Sequence, residues 1–176
     1  MKKVWRTETD KKTLFDVVSH TKKVLAEYSD YEVRIYVGCD SQNLRKKPWT
    51  GYITCVAYHI GTLDVDGEFY GHGVHVAFKS EKYHKIRDTW TKLWKEVEKS
   101  MEVAELLRNS GILVHQVDLD FNQDDEHDSY RLVAAGEGLF KGLGYKVASK
   151  PDDLMASRAA DHLIHHITWK NVPLSK

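Results

Sequence analysis

The 176-residue chain is predicted to adopt an α/β fold, with a mixed five-stranded sheet and helices packed on both faces. Three observations predict it. Three β-rich segments follow one another between residues 31 and 78. The hydrophobic period then changes to that of a helix over residues 86–109, and strand and helix patterns alternate from there to residue 168.

In chain order, residues 13–28 (TLFDVVSHTKKVLAEY) place Leu14, Val17, Val18, Val24 and Leu25 on one face of an amphipathic helix. YEVRIYVGCD, residues 31–40, is rich in β-branched and aromatic side chains and is the clearest strand. The loop Arg45-Lys46-Lys47 leads to a second strand, GYITCVAYHIG, and the turn signal Asp66-Gly67 to a third, EFYGHGVHVAF, so residues 33–78 form a meander. Over residues 86–109, Trp90, Leu93, Trp94, Val97, Met101, Ala104 and Arg108 form one helical stripe that Gly111 ends. ILVHQVDLDF is the fourth strand, SYRLVAAGEGLFKGLG a helix and YKVAS a short fifth strand; residues 153–168 form the last helix, with Asp153 as its N-cap. Right-handed crossovers put the fourth strand beside the first and parallel to it. Ligands gather at the carboxyl ends of such strands.

Composition narrows the function. Apolar residues make up 41% and charged residues 30%, a globular balance that fits one domain over residues 1–176 without repeat or linker. No apolar run is long enough to span a bilayer, and the lysines of MKKVWRTETDKK are not followed by the apolar stretch of a signal peptide, so a cytoplasmic protein is expected. Cys39 and Cys55 both sit in apolar strand segments and read as buried thiols. A formal net charge of zero provides no global field for nucleic acid, yet it permits a local basic rim around an acidic centre. There is no Gly-rich phosphate loop and no nucleophile elbow, which excludes nucleoside-triphosphate and serine-hydrolase readings.

Acidic residues carry the chemistry. The first strand ends at Asp40 and the fourth at Asp118 and Asp120, which share a face through the two-residue period. Carboxylates at the apolar end of a central strand need a cationic partner, and a hard divalent ion is a natural one. The long helix offers Glu96, Glu98, Glu102 and Glu105. On a wheel drawn around the stripe, Glu98 and Glu105 edge it, Glu102 points further into solvent and Glu96 takes the opposite flank; the level of Asp120 favours Glu98. Lys79, Lys82, Lys85, Arg87, Lys92 and Lys95, interleaved with Tyr83, Trp90 and Trp94, read either as a phosphate track with stacking rings or as a solvated helix face. His162, His165 and His166 with Asp161 suggest a rival transition-metal cluster, although no HExxH or CxxC signature accompanies them.

The segment IYVGCDSQ, a meander, a Glu-bearing helix and a strand ending LDFN together resemble the ribonuclease H-like superfamily. More narrowly, the chain resembles the small bacterial YkuK-type family. That family has a GTDSQ-like first motif, a strand ending Asp-hydrophobic-Asn, and a final KPD…A…AD pattern, read here as Lys150-Pro151-Asp152 through Ala160-Asp161. The resemblance covers about residues 13–168; Cys39 stands where the family often has threonine, and Asp118 is an extra acid. It implies a catalytic and metal-binding set of Asp40, Glu98, Asp120 and Asp161, with Glu102 and Asp118 as the alternatives on helix and strand. It also implies two Mg²⁺ or Mn²⁺ ions, Asp40 bridging both, Glu98 and Asp120 holding one and Asp161 completing the other. The expected activity is hydrolysis of phosphodiesters in RNA, RNA–DNA hybrid or structured DNA. The alternative is a non-catalytic nucleic-acid- or protein-binding module on the same fold. No pattern in the sequence specifies an oligomeric state.

Overall fold

The computed structural model describes residues 5–7, 15–121, 130–150 and 152–175. Thr13 and Leu14 of the expected first helix, Asn122 of LDFN, Ser129 and Pro151 lie outside the described residues. The elements are β1 (Arg6–Thr7), α1 (Val17–Glu27), β2 (Glu32–Asn43), β3 (Trp49–Leu63), β4 (Phe69–His84), α2 (Thr89–Asn109), β5 (Gln116–Leu119), α3 (Tyr130–Gly142), β6 (Val147–Ser149) and α4 (Met155–His166), followed by a 3-10 turn at Trp169–Asn171.

They form one mixed sheet in the order β1-β4-β3-β2-β5-β6. The meander is antiparallel, while β5 pairs in parallel with β2 and with β6, as the crossover rule requires. The sheet has six strands rather than five because Arg6 and Thr7 add a short pairing to the outer edge of β4. The fourth expected strand is shorter than its apolar pattern, with only Gln116–Leu119 on the ladder.

Period-two alternation divides the core between the two faces. Val33, Ile35 and Val37 of β2, with Val56, Tyr58 and Ile60 of β3, face a core shared with Val17, Val18 and Val24 of α1 and Val97, Val103, Ala104 and Leu107 of α2. On the other face, Ile53, Cys55 and Ala57 of β3 meet Ala156, Ala160, Leu163 and Ile164 of α4. Cys39 and Cys55 are buried free thiols, and Cys39 faces α2 through Thr54 while Cys55 lies under α4.

The last helix begins two residues later than expected, and Asp153 is not its cap. The Asp153 side chain is exposed and pairs with Arg158 at 3.4 Å. The cap residue, Leu154, has no side-chain acceptor, and the orphan N–H groups of the first turn are taken up by a side chain from β5. At the end of α2, Gly111 has φ of 76°, the left-handed conformation that closes a helix and that glycine adopts without strain.

Candidate metal centre

The carboxyl ends of β2 and β5 coincide, with Gly38 opposite Asp118 and Cys39 opposite Leu119. This brings Asp40 and Asp120 together from residues 80 apart in sequence. Even-numbered residues of β2 point toward α4. At Gly38 the approach is so close that a Cβ would lie 2.7 Å from Ser157 Oγ and 2.9 Å from Ser157 N. Two residues further along a strand is about 6.6 Å, and one turn further along a helix, from Ser157 to Asp161, is about 6 Å. Asp161 therefore reaches the level of Asp40, and its charge acts on the Asp40 carboxyl.

Asp118, the extra acid, holds that helix in place. Its Oδ2 accepts from the N–H of Ala156 at 2.7 Å and of Ser157 at 3.4 Å, and its Oδ1 accepts from Gln116 Nε2 at 2.9 Å. The Ser157 hydroxyl donates back to the Asp118 carbonyl at 3.3 Å. A carboxylate at a helix N-terminus binds the orphan N–H groups and complements the macrodipole. Burial pushes the Asp118 carboxyl up to about 6 against the pull of these donors. Its oxygens are thus already engaged, which leaves Asp120 as the open acid of the strand.

Asp120 Oδ1 is buried without a hydrogen-bond partner, and Lys150 Nζ lies 2.6 Å from it as an ion pair lacking hydrogen-bond geometry. Burial pushes the Asp40 carboxyl up to about 6; the charges of Asp120 and Asp161 add to this, while the Ser41 N–H and Lys92 oppose it.

On α2 the structure buries a glutamate other than the expected Glu98. Glu98 is exposed, and the inward position is held by Glu96, which is only 3% accessible. The Ser41 hydroxyl donates to Glu96 Oε1 in a very short hydrogen bond. Burial drives the Glu96 carboxyl far above its ordinary value; Asp40 and Asp120 reinforce the shift, and Ser41 and Lys92 oppose it. The buried face of α2 is Glu96, Val97, Lys99, Ser100, Val103, Ala104 and Leu107. At 100° per residue its centre lies about 20° from Glu96 and about 180° from Glu98. Trp90, Trp94 and Met101 pull a wheel read by hydrophobicity toward themselves, yet Trp90 is 46% exposed and the other two only border the core. Glu96, Lys99 and Ser100 lie off the hydrophobic stripe, so their own chemistry gives no signal of burial. Glu102 is exposed as well.

Lys99 continues the polar layer. Its ammonium binds Glu81 Oε2 at 2.8 Å and Tyr83 Oη at 2.9 Å and lies over the ring of Tyr52. Burial would raise the Glu81 carboxyl, but Lys99 and Lys79 outweigh it and hold it below the usual range. Several lysines of the expected phosphate track are therefore engaged within the fold. Lys79 pairs with Glu81, Lys82 is buried against Trp49 and the Trp169 carbonyl, and Lys95 covers Tyr83. Arg45, Lys46 and Lys47 stay exposed beyond the end of β2.

Asp40, Glu96, Asp120 and Asp161 form one electrostatically coupled group of hard oxygen donors with Lys92 and Lys150 as local counter-charges. Asp40 faces α4 whereas Glu96 meets Ser41 on the α2 side, so the acids flank the strand end from two sides. Among the described residues, no three His, Cys, Asp or Glu side chains are gathered closely enough to hold an ion as they stand. The donor chemistry fits a hard cation, as does the buried Asp120 oxygen, which has an ammonium beside it but no hydrogen bond; closing the set around an ion requires side-chain rotation. His162 and His166 stack at 4.2 Å, and His165 lies 3.6 Å from Asp161, without converging as a cluster. Among the described residues, no helix is long and apolar enough to cross a membrane.

The profile described as Ribonuclease H-like matches residues 16–165. No curated protein and no solved structure gives a significant match. The mixed sheet, the helices on both faces and a match spanning most of the chain agree, and the chain belongs to the ribonuclease H-like family.

Proposed function

We propose that the chain is a divalent-metal-dependent nuclease that hydrolyses phosphodiesters of RNA, RNA–DNA hybrid or structured DNA. The observation that carries this reading is the coupled group Asp40, Glu96, Asp120 and Asp161 at the joint carboxyl end of two parallel strands. The charges of these carboxylates oppose one another's ionisation, and a cation relieves that repulsion. Asp40, Asp120 and Asp161 would hold Mg²⁺ or Mn²⁺ from the α4 side, with Glu96 in the place expected of Glu98. Bound ions of this kind supply an activated water and neutralise charge on the leaving oxygen. Ser41 orients Glu96 through its hydroxyl, and Asp118 anchors the helix that presents Asp161. Lys92 and Lys150 supply positive charge beside the acids, where a substrate phosphate would enter.

Calorimetric titration of Mn²⁺ into wild type and Asp40→Asn, together with a cleavage assay on the three substrate classes, tests the reading. Wild type should bind Mn²⁺ and cleave, and Asp40→Asn should keep its fold while losing both. Glu96→Gln should behave like Asp40→Asn, whereas Glu98→Gln should behave like wild type. Cleavage by Asp40→Asn at the wild-type rate would refute the proposal. Absence of Mn²⁺ binding to wild type would favour a non-catalytic binding module, the reading supported by the spread of the acids over two sides of β2.

A further inference from the structure

At the start of α2, a cleft of about 450 Å³ is lined by Arg87, Asp88, Thr89, Trp90 and Arg131. Trp90 leaves 46% of its area in solvent although its helix has an apolar core to face. Arg87 and Arg131 are exposed, and among the described residues neither guanidinium is ion-paired. Asp88, the one acid among the described residues lining the cleft, caps α2, its Oδ2 accepting from Thr91 N at 2.6 Å. An accessible indole sharing a cleft with two guanidiniums that are not ion-paired among the described residues matches a nucleotide, whose base stacks on the ring while its phosphates meet the arginines.

The position matters as much as the composition. Trp90 precedes Glu96 by six residues on the same helix, a rise of about 9 Å, or about three nucleotides of stacked strand. Lys92 lies between them in sequence and acts electrostatically on both Asp40 and Glu96. We propose that this cleft is a stacking subsite for an unpaired base, flanked by phosphates, a few nucleotides from the acidic centre. The subsite selects single-stranded or flapped nucleic acid over fully paired duplex, because a base inside a helix cannot present its face to Trp90. This inference rests on the nuclease reading for the identity of the neighbouring site, but binding can be measured without turnover.

The test is fluorescence anisotropy in EDTA with labelled oligothymidylate, labelled oligouridylate and a blunt duplex of equal length, on wild type, Trp90→Ala, Trp90→Phe and the double variant Arg87→Ala/Arg131→Ala. Wild type should prefer the single strands, and Trp90→Ala should weaken single-strand binding about tenfold. Trp90→Phe should restore most of the loss, and the arginine pair should weaken binding with a shallower salt dependence. These side chains are exposed, so unchanged melting temperatures should accompany the losses. Equal affinity of wild type and Trp90→Ala for the single strands, or equal wild-type affinity for duplex and single strand, would overturn the subsite. A parallel cleavage assay with Mn²⁺ in place of EDTA, on wild type and Asp40→Asn, separates the two proposals: intact oligonucleotide binding in EDTA with no cleavage by wild type in Mn²⁺ would refute the nuclease reading while leaving the subsite standing.

Discussion

If Asp118 anchors α4 rather than binding metal, its Asn and Ala variants should differ in a defined way. Both remove the negative charge, so the cost of burying a carboxylate cancels between them. What differs is the acceptor for the Ala156 N–H, now 2.7 Å from Asp118 Oδ2. The asparagine of the first variant retains an oxygen there, and a flip of the Gln116 amide lets the new side-chain NH₂ donate to it in exchange for the long Gln116 Nε2 bond to the Asp153 carbonyl, now 3.2 Å. Alanine leaves the Ala156 N–H buried without a partner, at about 1–3 kcal/mol, and adds a small void at about 1 kcal/mol. Ser157 contributes less, because its N–H lies 3.4 Å away. Asp118→Ala should therefore be about 2–4 kcal/mol less stable than Asp118→Asn, which for a chain of this size lowers the melting temperature by about 5–12 °C. Thermal melts at fixed pH and salt measure the difference, and Mn²⁺ calorimetry on the Asn variant provides the second readout. Asp118→Asn should keep Mn²⁺ affinity within a few-fold of wild type, since its oxygens face Gln116 and α4. Variants that melt within about 2 °C of each other, or loss of Mn²⁺ binding in Asp118→Asn to the extent seen in Asp40→Asn, would refute the anchoring role.

Two further outcomes follow from the same packing. Gly38→Ala puts a methyl 2.9 Å from the Ser157 backbone nitrogen, so α4 must move outward; the expected cost is about 1–3 kcal/mol, read by denaturant unfolding, and Ser157→Gly should restore only part of it because the backbone contact remains. At the other end of the sheet, His20 and His75 hydrogen-bond through their Nε2 atoms at 2.8 Å, packed on Phe15 and Tyr58 with Lys23 and Glu27 nearby. Burial, with the charges of His75 and Lys23, lowers His20 to about 4; burial also lowers His75, against the opposing charge of Glu27. The unfolded chain thus binds more protons than the native one between about pH 4 and 6.5, and this pair's stabilisation is complete above pH 6.5 and lost as pH falls toward 4. After discounting for half-exposure, the loss from His20 is about 1–2 kcal/mol; a His20→Gln/His75→Gln variant whose stability fell as steeply from pH 7 to 4.5 as wild type would contradict this assignment.

Local patterns in the sequence determined a good deal of this protein. Alternation in YEVRIYVGCD placed Val33, Ile35 and Val37 on one face and Asp40 at the strand end on the other. The crossover rule then put Asp120 beside Asp40 from chain order alone. These features are legible because a strand's period and a crossover's hand are properties of the backbone, repeated at every residue. Tertiary structure alone decided which polar groups are inside and what satisfies them. Glu96 rather than Glu98 faces the centre because Ser41 on another strand meets it, and Lys99 can be buried only because Glu81 and Tyr83 lie across from it. The helix expected to begin on its own Asp153 is held by Asp118, 38 residues earlier than Ala156 in the chain. A hydrophobic residue announces its burial by its own chemistry, whereas a buried charge depends on a partner that only the folded chain brings within reach.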